Sequence, residues 1–77
     1  MSSHTMIALG RKLSNVIGAH NRLIGKPNYT VNDYYELQCQ SDAAESHLKY
    51  LIMHLDSRED AVTLAHAAGC PGYINFR

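Results

Sequence analysis

The sequence predicts an all-α protein: a long antiparallel helical hairpin, about residues 5–24 and 31–56, with a short third helix, about 58–68, and an irregular apolar C-terminal tail. Three observations predict it. Two segments each carry an apolar seam with alternating spacings of three and four. The two seams match one another when the chain folds back at the loop between them. A third, capped segment offers an apolar face that can close the bundle.

In the first segment the seam runs through Met6, Leu9, Leu13, Val16, His20 and Leu23. Spacings of 3, 4, 3, 4 and 3 place these residues along one side of a helix. Ser3 or Thr5 is suited to cap its start. Gly25 and Pro27 are expected to end it, with Gly25 in the left-handed position that follows many helices.

In the second segment Tyr34, Leu37, Ser41, Ala44, Leu48 and Leu51 repeat the alternation, and Leu55 extends it. Thr30 or Asn32 is the expected N-cap. Asp33 and Glu36 fall early in the helix, where the backbone dipole favours negative charge.

Folding back at Gly25–Thr30 pairs Met6 with Leu51, Leu9 with Leu48 and Leu13 with Ala44. The same register pairs Val16 with Ser41, His20 with Leu37 and Leu23 with Tyr34. Large residues then face small ones in the middle layers, as interdigitation requires. Lys12 comes level with Glu45.

Beside the seam, Gly10, Ile17, Ile24 and Ile52 form an apolar strip that needs a cover. Ser57 can cap a third helix, with Glu59 and Asp60 in its first turn. Ala61, Val62, Leu64, Ala65 and Ala68 give it an apolar face, and Gly69 and Pro71 stop it. About 11 residues at 1.5 Å each reach roughly 16 Å. That length covers the strip near Gly10 and Ile17 and leaves Ile24 to the tail residues Tyr73, Ile74 and Phe76, or to a second subunit.

Length and charge bound the rest. A chain of 77 residues makes one small domain, and at this size only about 60–65% of the unfolded surface becomes buried. The composition is 45% apolar and 18% charged. No apolar run approaches the roughly 20 residues of a membrane span. The opening MSSHTMIALGRK lacks the regions of a signal peptide. Met6 is a second candidate start beside Met1. A cytoplasmic location follows, with Cys39 and Cys70 as free thiols. Residues 1–30 hold four bases and no acid, and residues 31–77 hold seven acids and three bases. That segregation suits a basic helix packed beside an acidic one.

Chemistry-bearing constellations are sparse. His47 and His54 are seven apart, which separates their rings by about 10 Å along a helix, too far to share an ion. No C-x-x-C is present, and no metal or cofactor is expected. Acids at Glu36 and Asp42 flank Cys39, and no base stands beside it to activate it. Cys70 lies near His66 in sequence. No catalytic residue is assigned, and the chain is read as a non-enzyme.

The loop places Arg22, Lys26, Tyr29 and Thr30 beside a helix N-terminus, whose free N–H groups favour anions. These four are the candidate ligand set for a small anion or nucleotide. Leu64-Ala65-His66-Ala67-Ala68-Gly69 resembles the entry to the turn of helix-turn-helix proteins. That resemblance implies DNA reading by Tyr73, Asn75 and Arg77. The spacing after Gly69 is about one residue short, at most one turn of recognition helix follows, and nucleic acid is not the expected partner.

The favoured reading is a non-enzymatic protein-interaction module. It acts as a regulator or inhibitor of a larger protein partner and is itself a homo-oligomer. The candidate interface residues are Ile17, Ile24, Tyr35, Ile52, Tyr73 and Phe76.

Overall fold

A computed structural model describes residues 3–77. Among them there is no strand, and the architecture is the all-α hairpin with a third helix against it. The helices are α1 (Ser3–Ile17), α2 (Ala19–Leu23), α3 (Val31–His54) and α4 (Arg58–Ala67). A 3₁₀ helix, Pro71–Phe76, follows. The candidate start Met1 lies outside the described residues. Helix α1 already includes Ser3, so neither Ser3 nor Thr5 stands outside the helix as its cap.

The first arm of the hairpin is two helices rather than one. The ladder breaks at Gly18, which has φ −89° and ψ −1°. Glycine weakens a helix interior. The Asn21 amide donates to the Gly18 carbonyl at 3.2 Å rather than to Ile17. The Ile17 carbonyl is instead met from the other arm, where the Ser41 hydroxyl donates to it at 2.5 Å. A side chain inserted into the ladder is a recognised cause of such a break. Ser41 is also the buried polar residue of the core, 1% exposed. It lies one residue along from its expected partner Val16.

Local chemistry explains the other boundaries. At the start of α3 the Asp33 amide donates to the Thr30 hydroxyl at 3.1 Å, and the Thr30 amide donates to the Asp33 carboxylate at 3.3 Å. This reciprocal box satisfies two otherwise open donors. Ser57 caps α4 by accepting from the Asp60 amide at 3.2 Å. Helix α4 closes with Gly69 at φ 75°. The Gly69 amide donates to the His66 carbonyl and the Cys70 amide to the Ala65 carbonyl. This is the Schellman arrangement, which needs a left-handed residue at the Gly69 position. In the hairpin loop that conformation belongs to Asn28, φ 69°, and not to Gly25 as expected. Asparagine tolerates it better than other residues with a side chain.

The molecule measures 44 × 21 × 17 Å, and its two ends differ. At one end α1, α4 and the C-terminal half of α3 enclose Met6, Leu48, Ile52, Ala61, Leu64 and Ala65, all at 0% exposure. Helix α4 crosses α1 at Gly10, so closely that a Cβ there would sit 2.4 Å from the Ala67 Cβ. At the other end α2 and the start of α3 have no third layer. No residue between Ser14 and Gln40 is fully buried. His20 packs edge-on against Tyr34, ring centroids 5.6 Å apart.

The tail corrects two expectations. It is a 3₁₀ helix rather than irregular, because the proline at its start holds a helical φ. It also turns away from Ile24 and packs on the far half of α3, with the Lys49 ammonium over the Tyr73 ring at 5.3 Å and the Phe76 ring at 5.5 Å.

Candidate functional site

The structure sorts the candidate residues by end of the molecule. At the hairpin tip, Ile24 is 61% exposed and Tyr29 42%. Both belong to or border a loop with no fully buried neighbour, and Lys26 lies between them in the chain. The tip exists because α2 stops at Leu23, where the Lys26 amide donates to the Leu23 carbonyl at 2.9 Å, and Thr30 then restarts helix.

Two of the four proposed anion ligands are already engaged. The Arg22 guanidinium folds back and donates to the Asn15 carbonyl at 2.5 Å. The Thr30 hydroxyl accepts from Asp33, whose carboxylate also occupies the N-terminus of α3. The favourable zone of that helix dipole is therefore filled by the chain's own anion. Lys26 and Tyr29 are both exposed.

The six proposed interface residues do not form one surface. Ile24 and the exposed Tyr35 belong to the tip end. Tyr73 and Phe76 pack edge to face with each other at the opposite end, centroids 5.3 Å apart. Ile17 is half-buried against the core. Ile52 is wholly buried and is a core residue, not an interface residue, because α3 turns it inward with Leu48.

Of the DNA-reading set, Arg77 is committed to the fold. Its guanidinium donates to the Ile52 carbonyl at 2.8 Å and the Leu55 carbonyl at 2.7 Å. These carbonyls lie at the C-terminal end of α3, where cations are favoured. Tyr73 is half-buried and Asn75 exposed. Both sit on a 3₁₀ helix packed against α3 and α4.

The cysteines stand in different settings. Cys39 is exposed on α3. Cys70 is half-buried, with its thiol 3.7 Å from the Ala68 carbonyl. Burial, and then the Glu45 carboxylate, push the Cys70 thiol above its ordinary value, against the opposing pull of Tyr73 and Lys49. The same two causes, burial first, raise the Tyr73 hydroxyl. His66 does not join Cys70 but lines an open groove between α1 and α4, with Arg11 beside it and Ile7 and Val62 as apolar walls. Among the described residues there is no group of three or more metal-ligating side chains. No described helix is long and apolar enough to cross a membrane.

Sequence reasoning missed two features. The groove of about 480 Å³ between α1 and α4 arises from the Gly10–Ala67 crossing, which heptad reading does not locate. The exposed Val31, Tyr50 and Met53 on α3 were legible as a second apolar phase on that helix, but the stronger seam masked them. No protein family matches the chain, and neither a characterised protein nor a solved structure matches it.

Proposed function

We propose that the chain is a non-enzymatic protein-interaction module, a small cytoplasmic regulator or inhibitor that engages a larger protein through its hairpin tip and works as a homo-oligomer. It is of the size class of regulators that phages and mobile elements carry. One observation carries the reading. Ile24 and Tyr29 stand exposed at the end of a 44 Å molecule, on a two-helix projection with no fully buried residue between Ser14 and Gln40. Large apolar and aromatic side chains on a projection are the kind of anchor that fills a partner's pocket and carries most of the binding energy. Lys26 beside them supplies a charged rim, which contributes to association rate more than to affinity.

The test is capture from native lysate on the immobilised chain, with and without nuclease. The expected result is a stoichiometric protein that survives nuclease and is lost with the Ile24→Asp, Tyr29→Asp double variant. Both positions are exposed, so the variant keeps its fold. Capture that vanishes with nuclease, or that ignores the double variant, overturns the reading.

A further inference from the structure

We propose that a second copy of this chain docks antiparallel along the outward face of α3. The inference rests on the homo-oligomer part of the reading above and goes beyond it by naming the surface and its register.

Helix α3 carries two apolar faces. Ser41, Ala44, Leu48 and Ile52 are buried toward the rest of the bundle. Val31, Tyr35, Tyr50 and Met53 are 67%, 59%, 59% and 51% exposed. At about 100° per residue these four fall within an arc of roughly 100°, on the side away from the buried face. They make up four of the seven large apolar side chains left exposed among the described residues. A solvated face should instead be polar, as in an ordinary amphipathic helix. Between the large residues stand the exposed Cys39, Ala43 and Ser46, small enough to let another helix approach closely. From Val31 to Met53 the stripe runs roughly 33 Å.

Charge identifies the occupant. Residues 31–45 contain four acids, Asp33, Glu36, Asp42 and Glu45, and no base. Residues 46–54 contain one base, Lys49, and no acid. A parallel copy would set acid against acid. An antiparallel copy sets the acidic half of each α3 against the acid-free half of the other, which carries Lys49, and a two-fold axis satisfies the match twice.

An axis between Ala43 and Ser46 brings Ala43 level with the partner's Ser46 and Cys39 level with the partner's Tyr50. It brings Tyr35 level with the partner's His54, next to the partner's Met53. Small residues then meet at the axis, Tyr50 meets the small Cys39 on either side, and large residues meet at the ends. Asp42 comes within a turn of the partner's Lys49, and Phe76, beside Lys49, borders the seam. The loop residues Ile24 and Tyr29 precede α3, stand outside this pairing and are left to a different partner.

The test is sedimentation equilibrium of the full chain at concentrations up to about 0.1 mM, where a Kd of ~10 µM populates the dimer. The expected mass is twice 8.6 kDa. Ser46→Arg buries an unpaired charge at the seam and should raise the Kd on the order of 100-fold. Because Ser46 is exposed, the monomer remains helical by circular dichroism. Asp42→Lys, at an exposed position, sets like charge toward the partner's Lys49 and should weaken the dimer about tenfold. A monomer throughout the range, or a Kd that Ser46→Arg and Asp42→Lys leave unmoved, overturns the proposal. Lysate capture by the Ser46→Arg chain separates the two readings. A captured protein that still depends on Ile24 and Tyr29 keeps the interaction module even if the dimer fails, and a dimer without capture does the reverse.

Discussion

Ser41 holds the hairpin together at the point where its first arm breaks. Its hydroxyl replaces the amide that the Ile17 carbonyl would have received within a continuous helix. Leaving a buried acceptor without a partner costs about 1–3 kcal/mol. Ser41→Ala should therefore lower stability by that amount in urea denaturation, and Ser41→Cys should recover part of it. An unchanged midpoint for Ser41→Ala would mean that water serves the carbonyl equally well. Cys70 and Tyr73 set a pH dependence at the same scale. Both hold their protons more tightly folded than unfolded. Their contribution is fully present below the ordinary thiol value of 9.0 and is lost as pH rises through the folded-state values. Thermal melts should show the midpoint falling above about pH 9, with a smaller fall for Cys70→Ser. Equal alkaline falls in the two proteins would remove Cys70 from the account.

Elements explain what was legible in the sequence. The seam residues Met6, Leu13, Ser41, Ala44 and Leu48 are buried as their spacing requires, and Thr30 and Ser57 cap the helices they precede. Periodicity and capping are local properties, so one sequence carries them. Ile52 carried two readings, one in the strip that a third helix covers and one at an interface, and its burial with Ala61, Leu64 and Ala65 of α4 upholds the first. Gly18 and Asn28 show the limit from another side: a single weak residue can break a strong period, and a left-handed turn can fall on asparagine while a glycine stands three residues earlier. Two of the six candidate interface residues, Tyr73 and Phe76, stand apart from Ile24 because the tail turns the other way and their rings lie by Lys49.

The α1–α4 crossing gives the sharpest test at this scale. A Cβ at Gly10 would lie 2.4 Å from the Ala67 Cβ and 3.0 Å from the backbone at Ala67 and Ala68. Gly10→Ala adds helix propensity to α1, worth up to about 1 kcal/mol, yet it forces α4 outward, and overpacking of this kind costs about 1–3 kcal/mol. Net destabilisation in a denaturant titration is the expected outcome. A more stable Gly10→Ala protein would place α4 elsewhere.

At the scale of the whole molecule, the asymmetry between the ends organises the functional account. The three-layer end holds the buried core, and it spends Arg77 and Lys49 on fastening the tail. The two-helix end has apolar side chains on view, and its loop is fixed by Arg22, the Lys26–Leu23 backbone bond and the Thr30–Asp33 box. In a chain so short the core cannot cover every apolar residue, and surfaces left open in this way are where partners bind. The outward face of α3 adds a second open surface, running from Val31 to Met53 along the long axis. The proposals assign folding to the rigid end, partner binding to the loop at the tip and self-association to the lateral stripe.

The most direct test of that division is site-specific photo-crosslinking in native cells, with a photoreactive phenylalanine analogue placed at Tyr29 and, as a control, at the exposed Glu59 on α4. The account predicts a single larger protein joined to the chain from position 29 and no such adduct from position 59. Adducts from position 59 alone, or a nucleic-acid adduct from position 29, would contradict it.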